Sequence, residues 1–139
     1  MDAERKAKLM AIAETPEPFD GHNHIRILDV DDGVGVVELD IHPESLNIWG
    51  TPHGGLLYTL SDVACGCAVL TMRPESHVTV TGSMDYLRPA PSAGKVIATG
   101  RVTKMGGKLT YCDSELRDEA GTLIATGRAV MCFTGHPML

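Results

Sequence analysis

Positive charge is scarce in this 139-residue sequence: 12 Lys and Arg stand against 18 Asp and Glu, for a formal net charge of −6. A broad nucleic-acid footprint needs a basic surface, so no nucleic-acid partner is expected. A small anionic ligand remains compatible, because a few local cations and backbone amides can hold one. No signal peptide is expected either, since residues 1–15 (MDAERKAKLMAIAET) are charged from the start and contain no continuous apolar stretch. The longest apolar-rich run, residues 54–72, contains Asp62 and three small hydroxyl residues. It suits a buried helix better than a membrane span, so no membrane association is expected. Cys65, Cys67, Cys112 and Cys132 form neither a C-x-x-C pair nor a disulfide-dense pattern. Reduced core thiols in a cytoplasmic protein follow as the expectation. No Gly-x-Gly-x-x-Gly or Walker-type loop appears. His22 and His24 lack the further spaced ligands of a metal site, so neither a metal nor a bound cofactor is expected.

The composition is that of a globular chain, 43% apolar and 22% charged, and the length suits one domain over 1–139. Repeats, low-complexity tracts and linkers are absent. Residues 2–13 read as a short amphipathic helix with Leu9, Met10 and Ile12 on one side, making 1–16 an N-terminal helical extension. Residues 24–30 and 34–41 read as strands around Asp31-Asp32-Gly33, a hairpin turn. In the second strand Val37, Leu39 and Ile41 alternate with Glu38 and Asp40. Residues 42–53, with two prolines, an Asn and a Gly, read as loop. The spacing of Leu56, Leu60, Val63, Cys67 and Leu70 then predicts a helix over 54–72, ended by Pro74. Leu57, Ala64, Ala68 and Val69 leave it little polar face, so other elements must wrap it. Four strands follow, about 77–87, 95–105, 108–117 and 122–133, with good turn chemistry at each break. Residues 134–139 read as a flexible tail. Two strands, a buried helix and four strands in antiparallel succession make an α+β fold, one curved sheet around one helix.

The chemistry concentrates in residues 47–62, NIWGTPHGGLLYTLSD. A helix that begins at Gly54-Gly55 points unencumbered N–H groups outward with the positive end of its dipole behind them. Such a terminus can hold an oxyanion, because its donors are fixed before charge develops; the two glycines also suit plain close packing. Asn47 and His53 stand just upstream, where a loop Asx-turn and an ordinary helix-terminus residue are their structural readings. Asp62 interrupts an apolar helix, where an unpaired carboxylate is costly. Its structural reading is a carboxylate bonded to hydroxyls at a subunit boundary.

The spaced set Asn47-x5-His53-Gly54-Gly55-x6-Asp62 resembles the signature of hotdog-fold acyl-CoA thioesterases of the phenylacetate-pathway type. The resemblance extends over roughly 20–133 and includes the strand VTVTGSMDYLRP of residues 78–89. It implies the hotdog fold, hydrolysis of an acyl-CoA to a free acid and CoA, and no cofactor beyond the CoA of the substrate. It further implies that Gly54 N–H, or that of Gly55, polarises the thioester carbonyl. Asp62 would act as general base or as nucleophile, with Asn47 and His53 positioning the thioester or the water. A hydroxyl on the next strand assists in some members, and Thr79 falls there, with Thr81 and Ser83 read onto the same strand face.

Geometry extends this implication. Gly54 and Asp62 are eight residues apart, about 12 Å along one helix, so one thioester carbon cannot reach both. The two halves of the site must come from different chains across a two-fold axis, which predicts an obligate homodimer; in the family, dimers often pair into tetramers. Arg88, Lys104 and the amides of Gly106-Gly107 are candidates for the CoA phosphates, beside Arg73, Lys95 and Lys108, although solvated surface charge and a plain hairpin turn are the simpler readings of them. Leu57, Tyr58, Trp49, Ala64 and Gly66 are candidates for shaping the acyl pocket. Two other functions fit a hotdog domain: a non-catalytic acyl-CoA-binding module, and a dehydratase or hydratase. The first gains nothing from a desolvated Asp62, and the second needs a paired His and acid in another pattern.

Overall fold

The computed structural model describes residues 1–139. In chain order its elements are α1 (Ala3–Ala13), α2 (Pro18–His22), β1 (Ile25–Asp31), β2 (Val34–Ile41), α3 (Gly54–Met72), β3 (Glu75–Tyr86), β4 (Gly94–Met105), β5 (Leu109–Asp118) and β6 (Leu123–Pro137). A short 3-10 turn, Pro43–Ser45, lies in the loop before α3. All strand pairs are antiparallel and form one six-stranded sheet in the order β1-β2-β4-β5-β6-β3. The sheet wraps α3, which is the hotdog arrangement.

α3 is long and apolar enough by composition to cross a bilayer, but most of it is buried inside the protein. Leu60, Ala64, Ala68 and Val69 are sealed completely. The sheet admits the helix this closely because a row of small residues crosses it beneath α3. Gly35 pairs with Gly100, Gly100 with Ser114, and Ser114 with Gly127. A Cβ added at Gly35 would lie 2.6 Å from the Ala64 carbonyl oxygen, and one at Gly100 would lie 2.5 Å from the Ala64 carbonyl carbon. Ser114 uses its place in the row to bond the Ser61 hydroxyl at 2.6 Å. Backbone on both sides of the contact at Gly100 cannot yield as a side-chain tip would. Gly100→Ala is therefore expected to destabilise the fold by about 3 kcal/mol, the upper part of the overpacking range. Urea or thermal melts against wild type check this, and an unchanged midpoint would refute the close-approach account.

The tail departs from expectation. Residues 134–139 read as free, yet β6 runs on to Pro137, Glu75 pairs with Pro137, and Met138 N–H donates to the Pro74 carbonyl. Local sequence does not carry this signal, because the partner strand is about sixty residues away. Beyond the N-terminal extension, the sequence suggests no element before residue 24, yet Pro18–His22 form the extra turn α2. α1 lies against β1 and α3, with Leu9 wholly buried and Arg5 donating to the Thr71 carbonyl. On β2, Val37, Leu39 and Ile41 face the core as the alternation requires. Glu38, on the opposite face, is nevertheless buried between Arg26 and Lys95, which hold its carboxyl below the usual range against the cost of burial. The four cysteines are free thiols, three of them buried.

Candidate functional site

The loop before α3 is tied down by its own residues. Asn47 Oδ1 accepts from Trp49 N–H, Thr51 N–H and the Thr51 hydroxyl, at 2.9, 3.2 and 3.3 Å. His53 N–H donates to the Ser45 carbonyl, and Leu46 bridges to Pro52. His53 then caps the helix: its Nδ1 accepts from Gly55 N–H at 2.9 Å. Accepting there requires the ring proton to sit on Nε2, which leaves an exposed donor on the outer side. Leu56 and Leu57 N–H both donate to the His53 carbonyl. Of the first four amides of α3, only that of Gly54 makes no hydrogen bond within the chain. Of Gly54 and Gly55, only Gly54 keeps an uncommitted N–H, because His53 takes that of Gly55.

Tyr86, which the sequence reading passed over, fixes that amide from behind. Its hydroxyl donates to the Gly54 carbonyl at 2.6 Å, and its ring lies where a Cβ on Gly54 would come within 3.4 Å. Burial and the neighbouring Tyr58 push its hydroxyl pKa up, which keeps the donor protonated.

Further along the same helix, Asp62 Oδ1 accepts the Thr79 hydroxyl at 2.6 Å. The grouping of Thr79 with Thr81 and Ser83 on one strand face does not survive. Thr79 pairs with Met131, but Thr81 pairs with Val130, so Val80 is an extra, bulged residue. Gly82, Met84 and Tyr86 pair with Ala129, Gly127 and Ala125. Without the bulge, Val80 would continue that inward set and Thr79 would point away from the helix. The bulge resets the alternation and turns Thr79 toward Asp62. Asp62 is half-buried and lines a cavity of about 530 Å³ between α1, α2, α3 and β3.

The remaining candidates divide between the two ends of α3. Asn47, Gly54, Leu57 and Arg88 share a cleft of about 360 Å³ with Tyr86. Arg88 Nη1 is already bonded to the Leu123 carbonyl at 2.6 Å, so pinning β6 is part of its work. Tyr58 rests its hydroxyl against Gly82, which has no Cβ to obstruct it. Lys104 and Gly106 lie at the β4–β5 hairpin, by the far end of the helix, where Arg73 donates to the carbonyls of Gly106 and Gly107 and stacks over Phe133. One chain therefore does not gather Arg88 with Lys104 and Gly106. Of the acyl-pocket candidates, Gly66 lines the Asp62 cavity, Ala64 is sealed against the sheet, and Trp49 is 80% exposed beside Gly54.

Comparison with known proteins agrees with this geometry. The family model described as the thioesterase superfamily matches residues 50–125, which include Gly54, Asp62 and Thr79. The chain is 34% identical over 106 residues to acyl-coenzyme A thioesterase 13 of Homo sapiens, covering 75% of this chain and 76% of that one. It is 28% identical over 104 residues to the acyl-coenzyme A thioesterase PaaI of Escherichia coli, covering 75% and 74%. The solved structure of that E. coli protein superposes with a TM-score of 0.87 at 24% identity, over 95% of this chain and 97% of the other. A Streptococcus mutans protein solved bound to acetyl CoA has the same fold, with a TM-score of 0.76 at 23% identity over 81% and 90%. This chain, a hotdog domain with a spare amide at one end of its central helix and a hydroxyl-bonded carboxylate further along it, belongs to the thioesterase superfamily.

Proposed function

We propose that the chain hydrolyses an acyl-CoA thioester to a free carboxylic acid and CoA, at a site that two subunits build together. One observation carries this reading: α3 holds an uncommitted Gly54 N–H and a hydroxyl-bonded Asp62 about 12 Å apart along its axis. Each is half of a hydrolytic site and neither reaches the other. A two-fold axis that sets Gly54 of one chain opposite Asp62 of its partner makes two complete sites. The named relatives support the substrate class, and the acetyl CoA bound to the S. mutans protein is in keeping with it.

Strand β3 supports the assembly. It pairs only with β6 and is an edge of the sheet, twelve residues long. Val78 and Val80 on it are 55% and 58% exposed. A long apolar edge is a template for another strand, and a second β3 would cover it. Dimers pairing further into a tetramer remain part of this proposal.

In the reaction, Gly54 N–H holds the thioester oxygen as it becomes an oxyanion. Thr79 occupies Asp62 Oδ1, leaving Oδ2 to take a proton from water as the water oxygen attacks the carbonyl carbon. Collapse of the tetrahedral intermediate breaks the C–S bond, and the proton on Asp62 passes to the departing CoA sulfur. The Asn47 amide nitrogen and His53 Nε2–H are donors left over for the thioester or the water. Coenzyme A enters as part of the substrate, and no step calls on a metal or further cofactor. A cytoplasmic location belongs to the same reading, supported by the free thiols.

Release of CoA thiol from a panel of short, long and aromatic acyl-CoAs tests the activity, and no turnover across the panel would refute it. Subunit mixing tests the shared site. Asp62→Asn and Gly54→Pro proteins, each inactive alone, are expected to recover about a quarter of wild-type activity when randomly reassembled, because half the dimers then carry one intact site of two. Failure of the reassembled mixture to recover activity would refute the two-chain site.

A further inference from the structure

The cavity beside Asp62 holds more acid than hydrolysis needs. Its walls are largely apolar, with Ile12 from α1, Ile27 from β1, Val63 and Leu70 from α3, and Met131 from β6. Four carboxylates stand around it: Glu17 and Asp20 at α2, Asp62 on α3 and Glu75 at the start of β3. None of the four takes part in an ion pair, and no Lys or Arg lines the cavity. His77 is the one lining group able to carry positive charge, and its Nδ1 lies 3.1 Å from the Glu75 carbonyl oxygen. Even with that ring protonated, the acids outnumber it.

Two groups on different elements register this concentration of negative charge. Asp20 is raised to about 6, first by burial, then by the charge and hydrogen bond of Glu17, and then by the charge of Asp62. The buried thiol of Cys67, in the cavity wall, is pushed up to about 12 by burial and by the same Asp20 and Glu17.

We infer that this cavity receives the acyl group, and that Asp20 with Glu17 makes it select uncharged acyl groups over those that end in a carboxylate. The inference rests on the hydrolase reading above, in which the thioester carbon stands at Asp62 and the acyl group continues into the space that Asp62 lines. A methyl end gains by leaving water for the apolar wall. A terminal carboxylate would lose its hydration there and meet like charges, with no Lys or Arg of this chain in the lining to offset the loss. One like charge at about 6 Å, in an effective dielectric of about 20, is enough to weaken binding about a hundredfold.

Calorimetric titration of the wild-type protein with S-hexyl-CoA and S-(5-carboxypentyl)-CoA tests this without requiring turnover, since both thioethers lack the scissile bond. The two share every charge of CoA and differ only at the distal group. The hexyl compound is expected to bind about a hundredfold more tightly. Asp20→Asn should narrow that ratio to about tenfold, and Glu17→Gln should narrow it in the same direction. Glu115→Gln removes an equal charge from β5, outside the cavity lining, and should leave the ratio as in wild type. Equal affinities, failure of both compounds to bind, a ratio indifferent to both Asp20→Asn and Glu17→Gln, or equal narrowing by Glu115→Gln would each overturn the inference. The expected ratios in a protein that hydrolyses neither hexanoyl-CoA nor adipoyl-CoA would uphold the pocket and overturn the hydrolase reading, so the two failures are distinguishable.

Discussion

Asp62→Asn is expected to slow acyl-CoA hydrolysis about a thousandfold while acyl-CoA affinity changes only a few-fold. The substitution keeps size and shape, and its amide oxygen can still accept the Thr79 hydroxyl that now meets Oδ1. What disappears is the basic oxygen on the other side of the carboxylate, the atom that takes a proton from water in the proposed reaction. Loss of kcat with retained binding is the signature of an interaction made in the transition state rather than in the ground state. Rates of CoA release, together with calorimetric affinity for the same acyl-CoA, provide the measurement. Undiminished turnover would remove Asp62 from the chemistry. Direct attack by the carboxylate is separable from base catalysis by single turnover in oxygen-18 water. Label entering Asp62 itself, or trapping of an Asp62 anhydride with hydroxylamine, would mark the nucleophile, and labelled acid with neither sign would mark the base.

Gly54→Pro addresses the other half of the site, and the helix geometry makes it unusually clean. Gly54 is the first residue of α3, where proline is well tolerated because its missing N–H had no intrahelical partner. His53, which would precede the proline, is already extended at φ −62° and ψ 136°, the region that a following proline favours. An added Cβ would meet the Tyr86 ring at 3.4 Å, close but tolerable. The change therefore replaces the N–H with the ring Cδ and leaves the helix start otherwise in place. Loss of a single oxyanion donor lowers kcat by about a hundredfold to a thousandfold. Gly54→Ala keeps the N–H and adds the same first carbon, so it should retain most activity. Equal rates for the two variants would show that the Gly54 amide does not hold the oxyanion, whereas melting curves verify that both fold.

The long helix and the strands were legible in the sequence because their signals are local. Gly54-Gly55 opens α3 and Pro74 closes it, and the observed bounds, Gly54–Met72, match the expected ones. Strand limits agree to within two residues except at the end of β6, where pairing with β3 carries the chain to Pro137. The site was legible as a set of residue types, but not in the division of its hydrogen bonds. That Gly55 is consumed by His53 and Gly54 is spared depends on the angle at which the loop enters the helix, which Asn47, Thr51 and Ser45 set together. Thr79 was singled out beside the wrong neighbours, because a bulge at Val80 alters facing without altering composition. Tyr86 and Asp20 carried no motif at all. They matter only because folding brings β3 and α2 against α3.

Strand β3 holds Thr79 and Tyr86, and its sole neighbour within the chain is β6, the last strand to be synthesised. Until residues 123–137 have emerged, β3 has nothing to pair with, and neither Asp62 nor Gly54 has its backing hydroxyl in position. Both halves of the candidate site thus wait on the strand that comes last among the six, so they form with the finished sheet and not before it.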